Sequence, residues 1–212
     1  MTFPPTPETR RTLIKICGIR TPEMAKIAVT AGADAIGLVI GVPQSPRNLT
    51  LSQAATIAGP LPRRVMVVAV FQDPSATLIE GWKGAWVQLH GNEDEELIGR
   101  VGRMKHVIKG FRFDREQVLR FNDCQDVDIL LIDGSAGGRA GGFDHQTLAD
   151  LMPQISKPVI VAGGLTPQNV TDAIRVVHPL GVDVSSGVES SPGVKDAGLV
   201  RRFCEAVAVA DR

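Results

Sequence analysis

Cysteine, aromatic residues and excess charge are all scarce in this chain, and each scarcity excludes a class of protein. Three cysteines stand far apart in 212 residues, at positions 17, 124 and 204. Their number and spacing suit neither a disulfide framework nor a zinc site, and point to a reducing compartment, most simply the cytoplasm. Lysine plus arginine and aspartate plus glutamate both total 23, so the formal net charge is zero. No basic face is implied that would attract nucleic acid or an anionic membrane, and any anion must be held by local groups. The four histidines show no clustered ligand spacing, so no metal is expected. Residues 1–11 hold three prolines and three threonines. They lack the apolar core of about seven residues that a signal peptide needs, and read as a frayed tail before one domain over 12–212.

What the chain does have is a regular alternation. Short β-branched runs at Leu13–Cys17, Ala35–Ile40, Arg64–Phe71, Ala85–His90, His106–Phe113, Val127–Asp133, Pro158–Ala162 and Val182–Ser185 read as eight strands. Between them are helix starts, where a short polar side chain accepts from free backbone amides: Thr21-Pro22-Glu23, Thr50-Leu51-Ser52, Asp73-Pro74-Ser75, Asn92-Glu93, Asp114-Arg115-Glu116, Asp144-His145-Gln146 and Thr166-Pro167-Gln168. Pro22, Pro74 and Pro167 suit the first helical position, where the missing N–H is not needed. A last helix is expected over Asp196–Val209. Crossovers too long for hairpins call for an α/β fold with a parallel sheet covered by helices, and closure into a single (β/α)8 TIM barrel is the expectation. An open doubly wound sheet is the alternative, because strand number alone does not prove closure. An aromatic content of 4% suits a barrel filled by branched aliphatics. In such a barrel the functional groups gather at the C-terminal ends of the strands.

Cys17 ends the first strand and Asp133 the sixth, so both land at that mouth. Alternation puts Lys15 on the face of Cys17, and Leu131 and Ile129 on the face of Asp133. An apolar wall would desolvate the carboxyl group and favour its protonated form. The inward Lys15 needs a counter-charge, which Asp183 on the eighth strand supplies if the barrel closes there. Gly163 and Gly164 after the seventh strand, with Ser185, Ser186 and Gly187 after the eighth, form turns whose amides can approach an anion, the usual phosphate position in a barrel. Arg47 in Gln44-Ser45-Pro46-Arg47 has the fork to grip a carboxylate. Gln88 and His90 share a face and are either structural partners or ligand contacts. The glycine-dominated stretch Gly134–Gly142, which includes Arg139, reads as a lid.

These residues together resemble the phosphoribosylanthranilate isomerase family of tryptophan biosynthesis. The resemblance is carried by Lys15-Ile16-Cys17-Gly18-Ile19, Ser45-Pro46-Arg47, Val87-Gln88-Leu89-His90-Gly91, Leu131-Ile132-Asp133, Gly163–Val170 and Gly181–Glu189. It implies a (β/α)8 barrel and an Amadori rearrangement of N-(5-phosphoribosyl)anthranilate to an aminodeoxyribulose phosphate, with no cofactor. It also implies Cys17 as general base, Asp133 as general acid and Arg47 as ligand of the anthranilate carboxylate. The partner would be a small phosphosugar substrate, and the assembly a monomer or homodimer. One departure stands near the chemistry. The family's Gly-Gly-Thr-Gly-Lys-Thr-Phe-Asp-Trp is replaced by Gly137–His145, which lacks the lysine and places Arg139 two positions earlier.

The reaction requires an acid pKa above about 3.9 and a thiol pKa below about 8.5, pushed apart by burial of the first and by Lys15 beside the second. Competing readings are a pentose-phosphate epimerase, disfavoured by the missing metal ligands, and a histidine-pathway isomerase, disfavoured by a single anion site. A third is a binder that kept the barrel without turnover.

Overall fold

A strand covered on both faces needs apolar side chains on both, and Ile129-Leu130-Leu131-Ile132 is such a run, with every residue buried. The computed structural model describes residues 11–134 and 145–212. Eight parallel strands form a closed barrel in chain order: β1 (Leu13–Cys17), β2 (Ala35–Val39), β3 (Met66–Phe71), β4 (Trp86–Leu89), β5 (His106–Arg112), β6 (Ile129–Asp133), β7 (Val159–Ala162) and β8 (Gly181–Val184). Closure excludes the doubly wound alternative. The covering helices are α1 (Pro22–Ala31), α2 (Leu51–Ala58), α3 (Ala76–Gly81), α4 (Glu95–Gly102), α5 (Arg115–Asp123), α6 (His145–Leu151), α7 (Val170–Val177) and α8 (Ala197–Ala210). A short hairpin of β9 (Glu189–Ser191) and β10 (Val194–Lys195) precedes α8.

The apolar side chains divide into two cores, as a barrel requires. Val68, Val70, Ile108, Ile129, Leu131, Ile160 and Ala162 fill the interior around Cys17. Ile14, Ile16, Leu38, Phe71, Leu130 and Phe203 belong to the larger core between strands and helices. Each such side chain contributes about 1.5–3 kcal/mol when buried. Thr21 caps α1 by accepting from Met24 N–H, Thr50 and Gln53 form a reciprocal capping box on α2, and Asp114 and Asp196 cap α5 and α8.

Three predicted helix starts are corrected. Ser75 rather than Asp73 caps α3, and Asp94 caps α4 two residues past Asn92. In the third, Asn169 precedes α7. Pro74 and Pro167 therefore stand outside the helices, and only Pro22 occupies a first turn. At Thr166 the polar side chains close a turn instead: Asn169 Oδ1 accepts from Thr166 N–H at 2.7 Å, and Thr166 Oγ1 accepts from Gln168 N–H at 3.3 Å. The cap expected at Asp144 and the lid with Arg139 lie outside the described residues, apart from Gly134. Arg11, placed by sequence in the tail, is tied down by its guanidinium on Asp34.

The closing seam joins β8 to β1 with Lys15 and Asp183 as register partners. Lys15 Nζ donates to Asp183 Oδ1 at 2.7 Å, with the side chains 2% and 9% exposed. Removing one member of a buried pair typically costs about 3–5 kcal/mol, because the survivor keeps an uncompensated charge. Asp183→Ala is expected to lose that much in urea unfolding, whereas the double variant Lys15→Met/Asp183→Leu recovers most of it. Equal stability of Asp183→Ala and the wild-type chain would remove the seam pair from the account of closure.

Candidate active site

At the C-terminal mouth, the inward positions of β1 carry Lys15 and Cys17, and those of β6 end on Asp133. The two strands are three steps apart round the ring through β8 and β7. Cys17 is buried at 7% exposure, and its thiol sits over Gly37 of β2, where a Cβ would come within 2.7 Å of Sγ. A larger residue at 37 would push the sulfur aside. Gly18 follows with φ of 77°, and the Arg47 side chain lies across it, its Cδ 2.4 Å from where a Cβ would stand. The loop after β2 thus delivers Arg47 to Gly18, the residue that follows Cys17.

Arg47 is already engaged. Its Nε and Nη2 donate to the two carboxylate oxygens of Glu189 at 2.7 and 2.6 Å. The fork expected to grip a ligand is therefore filled by a protein carboxylate, and Nη1 is the guanidinium nitrogen outside this pair of bonds. Lys195 Nζ donates to the same carboxylate at 2.7 Å and to the carbonyl and hydroxyl of Ser185 at 3.0 and 3.2 Å. Burial opposes the charge on Glu189, but the hydrogen bonds from Arg47 and Lys195 outweigh it and hold the pKa at about 2. Glu189 and Lys195 are the members of the site that sequence reasoning did not single out. The Pro192-Gly193 pair, a turn signal between them, was the available clue to a hairpin that brings the two side chains together.

On β4, Gln88 faces inward at 1% exposure, and His90 stands one inward step further on, at the mouth. Gln88 Nε2 is 2.7 Å from His90 Nδ1, and His90 Nε2 is 3.8 Å from Asp133 Oδ2. With the amide as donor, Nδ1 accepts and the ring hydrogen resides on Nε2, the nitrogen turned to Asp133. Burial lowers the His90 pKa and outweighs the raising influence of Asp133, so the ring is neutral near pH 7. The structure thus joins the two predicted β4 residues to the predicted acid.

The expected depression of the Cys17 pKa is corrected. Burial pushes the thiol up, Lys15 opposes this, Asp183 adds to it and Lys195 opposes it. Lys15 is the largest influence opposing the rise but does not overcome burial; burial would lower the lysine's own pKa, yet Asp183 and the thiol raise it.

The turns after β7 and β8 close the rim. Gly163 and Gly164 have φ of 86° and 66°, conformations that favour glycine, and nothing lies within 4 Å of a Cβ built at Gly164. Gly187, in the 3-10 turn Ser186–Val188, presses against Leu165, whose carbonyl oxygen would be 1.8 Å from a Cβ there. The five residues predicted to bind an anion therefore form two touching turns. Asp133 and these turns share one mouth with Cys17 and Arg47. A cavity of about 550 Å³ lined by Met66, Trp86, His106 and Asp128 lies at the opposite end, among the strand starts, and contains none of the predicted site residues.

Comparison with known proteins gives the site its kin. The sequence model of the family described as N-(5'-phosphoribosyl)anthranilate (PRA) isomerase matches residues 14–206. The chain belongs to that family. It is 44% identical over 200 residues to the N-(5'-phosphoribosyl)anthranilate isomerase of Geotalea uraniireducens, covering 91% of this chain and 96% of the relative. It is 40% identical to that of Leptothrix cholodnii over 210 residues, covering 95% and 93%. Among solved structures, phosphoribosyl anthranilate isomerase from Thermotoga maritima superposes with a TM-score of 0.85 at 32% identity, covering 93% of this chain and 99% of that one. A family structure holding reduced 1-(o-carboxyphenylamino)-1-deoxyribulose 5-phosphate gives 0.82 at 32% identity and the same coverage.

The Glu189 assignment has a pH signature. Its carboxyl pKa is lower in the fold, about 2, than its ordinary value of 4.5, so the stabilisation is complete above pH 4.5 and fades as pH falls towards 2. Glu189→Gln is expected to be less stable than the wild-type chain at pH 7, with the difference shrinking between pH 4.5 and 2 in urea unfolding. A difference independent of pH would contradict the assignment.

Proposed function

We propose that this chain catalyses the Amadori rearrangement of N-(5-phosphoribosyl)anthranilate to 1-(2-carboxyphenylamino)-1-deoxyribulose 5-phosphate, with Cys17 as base and Asp133 as acid. The observation that carries the reading is the placing of a thiol and a carboxyl group at one barrel mouth, with two glycine-bearing turns between their strands.

The chemistry needs a proton donor near the ring oxygen and an acceptor near C2. Protonated Asp133 gives its proton to the ring oxygen as the C1–O bond breaks, and the anilinic nitrogen lone pair forms an iminium at C1. The iminium acidifies the C2 hydrogen, which the Cys17 thiolate removes; the C–H electrons form C1=C2 and return the nitrogen to neutrality. The enolamine then takes a proton at C1 from the Cys17 thiol and loses its 2-hydroxyl proton to the Asp133 carboxylate. Both groups finish as they began. His90, neutral and turned to Asp133 through Nε2, orients the acid without competing for its proton, and Gln88 fixes the ring that does so. Gly163, Gly164, Ser185, Ser186 and Gly187 hold the phosphate by backbone amides and hydroxyls. Arg47 meets the anthranilate carboxylate through Nη1 while Glu189 keeps the guanidinium in place.

Steady-state consumption of phosphoribosylanthranilate by the purified chain tests this reading. Cys17→Ser and Asp133→Asn are each expected to lower kcat by about 10²-fold or more while keeping affinity for a product analogue. Arg47→Ala is expected chiefly to raise KM. Turnover like that of the wild-type chain in either of the first two variants would take that residue out of the mechanism. Ligand-dependent melting without consumption by the wild-type chain would make it a binder.

A further inference from the structure

Burial disfavours the Cys17 thiolate more than Lys15 favours it, and the mouth holds a further cation on the same side. We propose that Lys195, on the β9–β10 hairpin, is a positioning cation that adds to Lys15 in favouring the Cys17 thiolate, with Glu189 limiting how much of its charge the sulfur feels. The proposal rests on the reading of Cys17 as general base.

Register gives the placement. Ile16 pairs with Val184 across the β1–β8 seam, so Ser185, the next residue, stands beside Cys17. Lys195 Nζ is bonded to both the carbonyl and the hydroxyl of this Ser185, which sets the ammonium at the layer of the sulfur rather than out in solvent. The Lys195 side chain is 1% exposed. Its attraction to a neighbouring anion is therefore weakly screened.

Charge counting gives the sign. The charged groups that act on Cys17 are Lys15 on β1, Asp183 on β8 and Lys195 on the hairpin, and Glu189 joins Lys195 to Arg47 of the loop after β2. Lys15 and Asp183 form a pair of zero net charge at 2.7 Å, with the lysine the stronger influence on the sulfur. Glu189 carries one negative charge yet serves both Arg47 and Lys195, so this second group keeps one uncancelled positive charge. Ionising Cys17 brings the whole cluster to neutrality. Across the mouth stand His90, which is neutral, and Asp133. Burial lowers the Lys195 pKa and raises that of Cys17, while each group in its charged form favours charge on the other.

The test is a pH titration of the Cys17 thiolate by ultraviolet absorbance, with a Cys17→Ser background subtracted to remove Cys124 and Cys204. The chain has no tyrosine, so no tyrosinate overlaps the signal. Lys195→Met is expected to move the midpoint up by about one pH unit or more, equivalent to a tenfold smaller thiolate fraction on the acid side of the midpoint. Lys195→Arg restores it, and Glu189→Gln moves it down by freeing the cation. In turnover, kcat/KM of Lys195→Met falls at neutral pH and recovers at alkaline pH, a rescue that a merely structural role would not produce. Circular dichroism establishes folding of each variant, and Glu189→Gln reads the same charge with the opposite sign should Lys195→Met not fold. An unchanged or lowered midpoint in folded Lys195→Met, or an unchanged or raised one in Glu189→Gln, overturns the proposal. Midpoints that move as expected in a chain that does not consume phosphoribosylanthranilate would retain the electrostatic assignment and reject the proposed reaction.

Discussion

The seam where β8 meets β1 is the constraint on which the rest of the structure depends. A parallel barrel must return its last strand to its first in a register that keeps every inward side chain inward. Here the seam carries Lys15 opposite Asp183, ion-paired in the interior. Apolar residues could fill that space as well or better in energy. The pair has a further consequence, because it sits one inward step below Cys17 and sets the electrostatic floor of the mouth.

The site follows from that floor. Burial disfavours the ionised thiol more than Lys15, itself paired with Asp183, favours it, and the β9–β10 hairpin brings a second cation to Ser185. The same hairpin supplies Glu189, which joins Lys195 to Arg47 and so links the loop after β2 to the segment after β8. On the far side, Gln88 and His90 lead from the barrel interior to Asp133. Asp133 is thus approached through His90 and Cys17 through the charged groups of the seam and hairpin, and the two sets meet in the influence of Lys15 and Asp183 on His90. At the thiol, burial disfavours the charged form and the two lysines oppose that preference.

Much of this was legible in the sequence, and the physical reasons for what was not are specific. Period-two alternation placed Lys15, Cys17, Gln88, His90, Asp133 and Asp183 on inward faces, because a parallel strand leaves its side chains little choice. It also predicted the Lys15–Asp183 pair from the need of a buried charge for a partner. Helix starts were less legible. At Pro167, polar residues that resemble caps close a turn before the helix begins, and beside Pro74 the Asp73 side chain accepts from Asn92 N–H in the loop after β4, so spacing alone does not separate the uses of the same side chains. The Arg47–Glu189–Lys195 cluster was beyond sequence reasoning because its members come from a loop and a hairpin, where no period relates position to direction. The direction of the Cys17 pKa shift was hidden for a related reason: alternation sets Lys15 beside the thiol but does not show how far burial outweighs it.

The central claim is that a thiol and a carboxyl group act on one sugar across this barrel mouth, and a crystal structure of the chain with a reduced product analogue tests it most directly. The account predicts Cys17 Sγ and the Asp133 carboxyl group about 3–3.5 Å from the atoms they deprotonate and protonate, with the phosphate on the amides around Gly164 and Ser186. A ligand seated at the opposite end of the barrel, or bound at the mouth with Sγ turned away from it, would contradict the account.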